Sequence, residues 1–319
     1  MESYNTKKSS MRVKLIFNPI AGSNDKSPVQ LMEVIKEMQA WKLVPEPYLI
    51  EPDCDLSKVV GDAIASGIKM IVVFGGDGTV STVARAVLGT NATFGIIPGG
   101  TRNNVALSLG IPTDIPSAVA ILRNGRRTKI DIGISTCNNI STPFIELCSV
   151  GLFCTLFSAG DDIQHGNIAR IGDFLTSLTS TPPSDIHLWI DDKEEIQKSG
   201  HIVIVSNMPY VGINYQVGAP NAFKDGLLDV LFFAELSKIY LMSYVIKGPG
   251  NSKQEDPRIQ HFKVKKVRID TKPSMSIMAD GINIGQGSVQ IEVRQRALTL
   301  MAPSISSKEL IKSSEIHEK

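Results

Sequence analysis

Short runs of branched aliphatic residues alternate with helical patterns over the first part of the chain. Ser27 and Pro28 suit the N-cap and first position of a helix, and Leu31, Ile35 and Met38 then fall on one helical face. Strands that alternate with helices are typical of an open, largely parallel sheet covered by helices. The predicted strands are Val13–Phe17, Tyr48–Glu51, Met70–Phe74 and Phe94–Pro98, and further helices are predicted over Leu56–Ser66, Val80–Leu88, Asn103–Gly110 and Pro116–Asn124.

From about Lys129 the pattern changes to many short runs of alternating apolar and polar positions, which favours antiparallel β-structure. We therefore expect an α/β fold class. An N-terminal open, mostly parallel α/β sheet domain covers residues 1–128, a second, mainly antiparallel β-rich domain covers 129–303, and a polar tail covers 304–319. Strands of the second domain are predicted over Lys129–Ser135, Phe144–Val150, Ile186–Ile190, His201–Ser206, Leu228–Phe233, Phe262–Asp270, Met275–Met278, Ser288–Arg294 and Ala297–Met301, with helices near Ile168–Thr179 and Leu236–Ile246.

The composition excludes several classes of protein. Lys and Arg number 33 against 32 acidic residues, so no global field favours nucleic acid, and we expect no nucleic-acid partner. The 4 cysteines form no CxxC pair, which favours free thiols in a reducing compartment. The N-terminal segment lacks the apolar core of a secretory signal, and no apolar run reaches the roughly 18 residues of a spanning helix. We expect a cytoplasmic protein.

Three turns rich in glycine or small residues follow predicted strands. The segment Gly75-Gly76-Asp77-Gly78-Thr79 comes directly after a strand and before a helix, so its backbone N–H groups can face a phosphate. Taken alone, this segment also fits an ordinary strand-to-helix turn. Two more turns, Asn18–Gly22 and Pro98–Asn104, should open at the same carboxyl edge of the sheet, where α/β sheets bind ligands. Together the three turns predict a nucleotide site.

The order NPxxG, GGDGT and PxGTxN followed by LGIP resembles the diacylglycerol kinase catalytic domain, which bacterial lipid kinases share with sphingosine and ceramide kinases. The likeness extends over nearly the whole chain. It implies an enzyme that uses ATP and Mg²⁺ to phosphorylate a lipid hydroxyl group. By this resemblance the nucleotide-binding residues are Asn18, Pro19, Gly22, Gly75, Gly76, Asp77, Gly78, Thr79, Gly100 and Thr101.

A later segment, Ala222-Phe223-Lys224-Asp225-Gly226-Leu227-Leu228-Asp229-Val230, is similar to the magnesium-binding DGLLDV segment of this family. The resemblance implies metal ligation by Asp225 together with Ala222 and Leu227, and a place for Asp131 of the KIDIG sequence in the metal and water network. An aspartate with carbonyls suits the oxygen-preferring Mg²⁺ ion. From the residues alone, Asp225-Gly226 also fits a simple hairpin turn.

The chain departs from the family pattern at three positions. The family takes its general base from a DGE motif, whereas Asp280-Gly281 is followed here by Ile282, which cannot accept a proton. Thr82 and Asn104 stand where the family has a glutamate and an aspartate. The predicted catalytic residues are therefore Asp77 and Asp280. Asp280 is a conceivable substitute base, and its alternative role is that of a hairpin-turn aspartate.

The sequence leaves three functions open. The first is a lipid kinase with a diacylglycerol-like or sphingoid substrate, the second a catalytically impaired regulator that binds nucleotide or lipid, and the third a soluble kinase of the NAD kinase type. A homodimer and peripheral contact with a membrane are left open. Anionic lipid headgroups could bind either of two basic clusters. The first consists of Arg123, Arg126, Arg127 and Lys129, and the second of Lys263, Lys265, Lys266 and Arg268. Acyl chains could meet Leu152, Phe153, Leu156, Phe157, Ile171, Phe174, Leu175 and Leu178.

Overall fold

The computed structural model describes residues 9–21, 27–153, 182–211, 215–236 and 258–304. The chain forms two compact units. One unit is built from the chain up to Ile130 and from Ala297 onward, and the other spans Asp131–Arg296. Three expectations lie outside the described residues: most of the acyl-chain cluster, nearly all of the two later helices, and the polar tail beyond Ser304.

The first unit contains a parallel sheet, as the sequence predicts. Its strands run in the order β2 (Leu43–Leu49), β1 (Met11–Phe17), β3 (Met70–Gly75) and β4 (Thr93–Pro98), and each neighbouring pair is parallel. Every residue of β3 and β4 is buried, which explains their unbroken apolar sequences. Because the strands are parallel, the ends of β1, β3 and β4 lie at one edge and carry the three turns to it.

In the described part of this unit, five helices connect the strands. They are α1 (Ser27–Ala40), α2 (Leu56–Ala65), α3 (Asp77–Val87), α4 (Asn104–Ser108) and α5 (Ile115–Asn124). Asp55 and Asp114 cap α2 and α5 by accepting hydrogen bonds from backbone N–H groups in the first turn. The helix α3 starts three residues before the predicted Val80, so it begins inside the glycine-rich turn.

The prediction for β2 is wrong at its start. The sequence indicates a strand over Tyr48–Glu51, but the strand begins at Leu43 and includes Pro45 and Pro47. A proline has no N–H group to donate and is therefore confined to sheet edges. Among the described strands β2 pairs only with β1, so it is the edge strand on which prolines are tolerated.

The second unit is antiparallel and β-rich, which confirms the expected fold class. The strand β9 (Glu194–Ser206) lies at its centre and pairs with three strands, β7 (Leu147–Gly151), β8 (Ser184–Ile190) and β12 (Leu228–Ala234). The inward-facing side chains of these strands form one buried cluster that includes Val203, Val205 and Val230. The other described strands that lie wholly or partly in this unit are β5 (Arg126–Cys137), β6 (Ile140–Phe144), β10 (Tyr210–Val211), β11 (Tyr215–Gln216), β13 (Ile259–Val264), β14 (Lys266–Lys272), β15 (Ser276–Ala279), β16 (Ile282–Gln286) and β17 (Val289–Ala302).

Four strand predictions are corrected by the structure. The run Phe144–Val150 is divided between β6 and β7, and Phe262–Asp270 is divided at Lys265 between β13 and β14. In contrast, the two runs Ser288–Arg294 and Ala297–Met301 form the single strand β17, in which Arg296 has φ of 51°. Over the described ranges, no helix is both long enough and apolar enough to cross a membrane.

Candidate nucleotide-binding site and acidic turns

The two glycine-rich turns of the first unit pack against each other through their backbones. Gly99 N donates to Gly75 O at 3.0 Å. A Cβ atom placed on Gly100 would lie 2.5 Å from the Cα atom of Gly76, and one placed on Gly76 would lie 3.2 Å from the Cα atom of Gly100. Any side chain at Gly100 would therefore push the turns apart, because carbon atoms in contact are about 3.5–4.0 Å apart. The structure thus brings Gly75, Gly76 and Gly100 together.

Asn18 joins the turn that follows β1 to these two glycine-rich turns. Its Oδ1 atom accepts a hydrogen bond from Ile20 N at 3.1 Å, and its Nδ2 atom donates to Thr79 Oγ1 at 2.7 Å. The two contacts fix the orientation of the amide, because only the oxygen can accept from an N–H group. Since Thr79 Oγ1 accepts from Asn18, its own hydroxyl hydrogen remains for another acceptor. Pro19 lies in the turn that follows, and Gly22 lies outside the described residues.

Asp77 lies at the start of α3, and its carboxylate contacts the residues that follow the Pro98–Asn104 turn. Its Oδ1 atom accepts from Val105 N at 3.1 Å. Burial raises the pKa of Asp77, and hydrogen bonds from the backbone of Val105, Asn104 and Asn103 and the charge of Arg102 oppose this effect. The carboxylate therefore serves as an acceptor for the beginning of α4 and ties the two turns together.

Gly78 differs from the other glycines of the site. It is exposed in the first turn of α3, and its φ is not left-handed. Apart from its chain neighbours and the backbone of α3 itself, no described atom lies within 4 Å of a Cβ atom placed on it. Neither packing nor backbone conformation requires glycine here. The N-cap residue Gly76 has no side chain that could accept hydrogen bonds from the first turn of α3. The N-terminus of α3 therefore offers N–H groups and a partial positive charge to an anion.

The Pro98–Asn104 turn is shaped by Asn103, the last residue of the PxGTxN motif, which is not among the predicted nucleotide-binding residues. This residue is left-handed, with φ of 53°. Its Oδ1 atom accepts from Gly100 N at 2.9 Å, and its Nδ2 atom donates to Gly100 O at 2.7 Å. Asparagine adopts this conformation more readily than most residues, and that preference is the signal that could have identified it. Thr101 is exposed at the tip of the turn.

Two of the family departures lie beside this site. Thr82 Oγ1 donates to Gly78 O at 2.9 Å and accepts from Arg85 Nη2 at 3.2 Å. Asn104 is the first residue of α4 and is 3% exposed. A glutamate at position 82 would lie one turn from the Arg85 guanidinium, a spacing at which opposite charges attract.

In the second unit, the predicted ligand Asp225 contacts a lysine. Its Oδ2 atom lies 2.6 Å from Lys263 Nζ, and its Oδ1 atom accepts from Leu227 N at 3.0 Å. The hydrogen bond with Asp225 raises the pKa of Lys263, against burial, which lowers it. The carbonyl of Ala222 accepts from Asp225 N at 3.3 Å, which closes a short 3₁₀ turn over Ala222–Lys224.

Asp131 is 1% exposed and holds two backbone segments of the same unit together. Its Oδ2 atom accepts from Gly226 N at 2.8 Å, and its Oδ1 atom accepts from Arg296 N at 2.7 Å. Its carbonyl oxygen accepts from Asn207 Nδ2 at 2.9 Å. Asp131 therefore fixes the turn at Gly226 and the left-handed residue Arg296 through direct hydrogen bonds.

These predicted ligands do not fit a resident Mg²⁺ ion as they are placed. Both carboxylate oxygens of Asp225 and both of Asp131 already face donors. Within the part of the chain that the structure describes, no group of three or more His, Cys, Asp or Glu side chains could hold a metal. Mg²⁺ requires near-octahedral coordination by oxygen ligands. Carboxylate oxygens that already accept hydrogen bonds from N–H groups do not offer it such ligands.

Asp280 and Gly281 form the turn of the β15–β16 hairpin, with φ of 44° and 79°. The carboxylate of Asp280 accepts hydrogen bonds from three successive backbone N–H groups, those of Ile145, Glu146 and Leu147, at 2.7–3.0 Å. Ile145 and Glu146 occupy the break between β6 and β7, and Leu147 is the first residue of β7. Asp280 therefore lies in a hairpin turn, and these three hydrogen bonds join it to a distant segment of the unit. Its role as a substitute base stays a prediction. Ile282 begins β16 and is 43% exposed.

The second basic cluster is largely balanced by aspartates of the same unit. Lys263 pairs with Asp225, Lys266 Nζ lies 3.1 Å from Asp192, and Arg268 Nη2 lies 2.6 Å from Asp270. The Arg268 guanidinium also lies over the Trp189 ring, 4.6 Å from its centroid. Charges that are paired in this way attract anionic headgroups less than free ones do.

Comparison with known proteins gives matches over most of the chain. Residues 12–134 match the diacylglycerol kinase catalytic domain, and residues 163–302 match the YegS C-terminal NAD kinase beta sandwich-like domain. A diacylglycerol kinase of Mycobacterium tuberculosis is 28% identical over 78% of this chain and 82% of its own length. One from Bacillus subtilis is 23% identical over 85% of this chain and 89% of its own.

The fold also matches a crystal structure described as that of a diacylglycerol kinase from Bacillus anthracis strain Sterne. Its TM-score is 0.70 at 22% identity, with 93% of this chain and 98% of that chain covered. At this identity the likeness concerns the fold. It agrees with the arrangement of a parallel N-terminal sheet and an antiparallel second unit.

Proposed function

Because the chain belongs to the bacterial diacylglycerol kinase-like family, we propose that it transfers the γ-phosphate of ATP to a hydroxyl group of a lipid. The nucleotide enters as its Mg²⁺ complex, as in other kinases. The family match supports a kinase, and the names of the relatives support a lipid of the diacylglycerol kind as the phosphate acceptor.

The observation that carries the nucleotide part is the open surface at Gly78. Around it, the turns are fixed by the Gly76–Gly100 contact, by Asn18 and by Asp77. A glycine that no internal contact requires is explained by close approach of a group from outside, and a phosphate at the start of α3 is such a group. Such fixed donors need no rearrangement when the phosphate arrives, which favours phosphoryl transfer.

The side chains of this site would orient the triphosphate. The hydroxyl of Thr79 donates to a phosphate oxygen, since Asn18 Nδ2 supplies the hydrogen bond that Thr79 Oγ1 accepts. The N–H groups of Gly78 and Thr79 and the N-terminal partial charge of α3 stabilise the negative charge of the transferred group. Asp77 acts as a positioning residue that holds the two turns together.

The acceptor hydroxyl must lose a proton, and Ile282 cannot take it. Loss of a general base costs about 10²- to 10⁴-fold in rate, which leaves measurable catalysis from positioning and electrostatics. Asp280 is two residues away, but it already accepts three backbone hydrogen bonds. This observation favours a second candidate, a regulator that binds nucleotide or lipid without transferring phosphate.

The experiment is a transfer assay with the purified chain, Mg²⁺ and ATP labelled at the γ-phosphate. A lipid extract and, separately, NAD serve as acceptors, and the products are separated into organic and aqueous phases. A labelled lipid whose yield falls strongly with Gly78→Ala supports the proposal and identifies the acceptor. Labelled NAD phosphate without labelled lipid supports the soluble kinase instead.

The regulator is tested with Ile282→Glu, which restores a carboxylate at an exposed position. If the natural chain binds MgATP but labels no lipid, and the Ile282→Glu variant labels one, the regulator is the correct function. Ile140→Glu is a matched control, since Ile140 is likewise an exposed isoleucine at the start of a strand in the same unit. That variant should not change the transfer rate.

A further inference from the structure

The turn over Ala222–Gly226 carries Asp225, and this aspartate contacts a cationic side chain of the same chain. The ammonium nitrogen of Lys263 lies 2.6 Å from Asp225 Oδ2 and 3.9 Å from Asp229 Oδ1. It therefore lies near two carboxylates at once, in the kind of position that a divalent cation takes between acidic ligands. Asp229 is 1% exposed, so its charge must be balanced by groups nearby.

The strand register explains how Lys263 reaches this place. In the antiparallel pair β12–β13, Lys263 is directly opposite Asp229. Residues opposite each other in a sheet have side chains on the same face, so the ammonium is held beside that carboxylate. Two residues before Lys263, His261 Nε2 lies 2.7 Å from the same Asp229 Oδ1 atom. The register of this one strand pair thus supplies both basic groups.

We propose that the Lys263 ammonium takes the place of a divalent cation at Asp225, so that the Ala222–Gly226 turn is held without metal. A divalent ion on Asp225 would lie beside the ammonium and be repelled by it. The ammonium also offers three donors that match carboxylate oxygens. Removal of the Lys263 charge should leave Asp225 and Asp229 near one vacated position and so create a metal site.

The test measures metal binding without nucleotide in the full chain. Mn²⁺ uptake is followed by electron paramagnetic resonance, and thermal unfolding is compared in EDTA and in MgCl₂ at equal ionic strength. The variants are Lys263→Met, the double variant Lys263→Met with Asp225→Asn, and Lys265→Met. Lys265 is an exposed lysine two residues further on and serves as the control.

The natural chain and Lys265→Met should show no saturable Mn²⁺ uptake up to about 1 mM, the range of weak protein sites, and no Mg²⁺ effect on Tm. Lys263→Met should gain one saturable site and a Tm that Mg²⁺ raises by roughly 2 °C or more. The double variant should lose both gains.

Three results overturn the proposal: a saturable Asp225-dependent site in the natural chain, no site in Lys263→Met, or a site that survives in the double variant. Because the measurements concern metal uptake and unfolding, their failure leaves the proposed kinase function untouched. Failure of the transfer assay likewise leaves this inference in place.

Discussion

Replacement of Gly78 by alanine separates the folding role of the glycine-rich turn from its binding role. Apart from its chain neighbours and the backbone of α3, a Cβ atom at this position meets no described atom within 4 Å, and the backbone is not left-handed. The change should therefore stabilise the fold by about 0.4–1 kcal/mol, because alanine restricts the unfolded chain more than glycine does. At the same time the methyl group occupies the space through which a phosphate approaches the N–H groups of α3.

The expected loss of affinity follows from one hydrogen bond to a charged group. Such a bond contributes about 1.5–3 kcal/mol, so ATP should bind roughly 10- to 150-fold more weakly to Gly78→Ala. Calorimetric titration with MgATP measures the affinity, and urea unfolding measures the stability. Both are compared with the natural chain.

Gly61→Ala is the matched control for this experiment. Gly61 lies within α2, also without a left-handed φ. Apart from its chain neighbours and the backbone of α2, no described atom lies within 4 Å of a Cβ atom placed on it. It should show the same gain in stability and an unchanged affinity for ATP. An affinity of Gly78→Ala within twofold of the natural value would refute the placement of phosphate at this turn.

Three further changes test the rest of the site. Gly100→Ala places a Cβ atom 2.5 Å from Gly76 Cα and should cost about 1–3 kcal/mol in the free energy of unfolding; an unchanged urea midpoint would show that the turns can separate freely. Burial raises the pKa of Asp77, so the folded state binds its proton more tightly and the free energy of unfolding falls as pH rises through that pKa. Asp77→Asn should remove this loss, and a stability difference from the natural chain that does not change with pH argues against it. Asp280→Asn keeps an acceptor oxygen but loses the charge that three N–H groups contact, and should cost about 1–3 kcal/mol. If instead its stability is unchanged and transfer is abolished, Asp280 is the catalytic base.

The sequence predicts the parallel half of the fold well, because buried parallel strands such as β3 and β4 are continuous apolar runs between glycine-rich turns. It fails where pairing with distant segments decides the structure. Two prolines argue against a strand at the start of β2. The sequence alone does not show that β2 lies at the sheet edge, where prolines are tolerated. The break between β6 and β7 depends on Asp280, more than a hundred residues away, whose carboxylate binds the N–H groups at that break.

The candidate site shows the same division. The positions of the glycine-rich turns follow from local sequence, since each turn comes directly after a strand and before a helix. The contact of Asp77 with Val105 and of Asp225 with Lys263 could not be read locally, because both depend on which strands become neighbours. The register that places Lys263 opposite Asp229 is visible only once β12 and β13 are paired.

The position of the triphosphate is measured most directly by a crystal structure of this chain with Mg²⁺ and a non-hydrolysable ATP analogue. Phosphate oxygens should lie within hydrogen-bonding distance of the backbone N–H groups of Gly78 and Thr79 and of the Thr79 hydroxyl, with the Asn18–Thr79 contact retained. An analogue whose phosphates lie away from the start of α3, with these groups still facing solvent, would contradict the assignment of the glycine-rich turns as the ATP site.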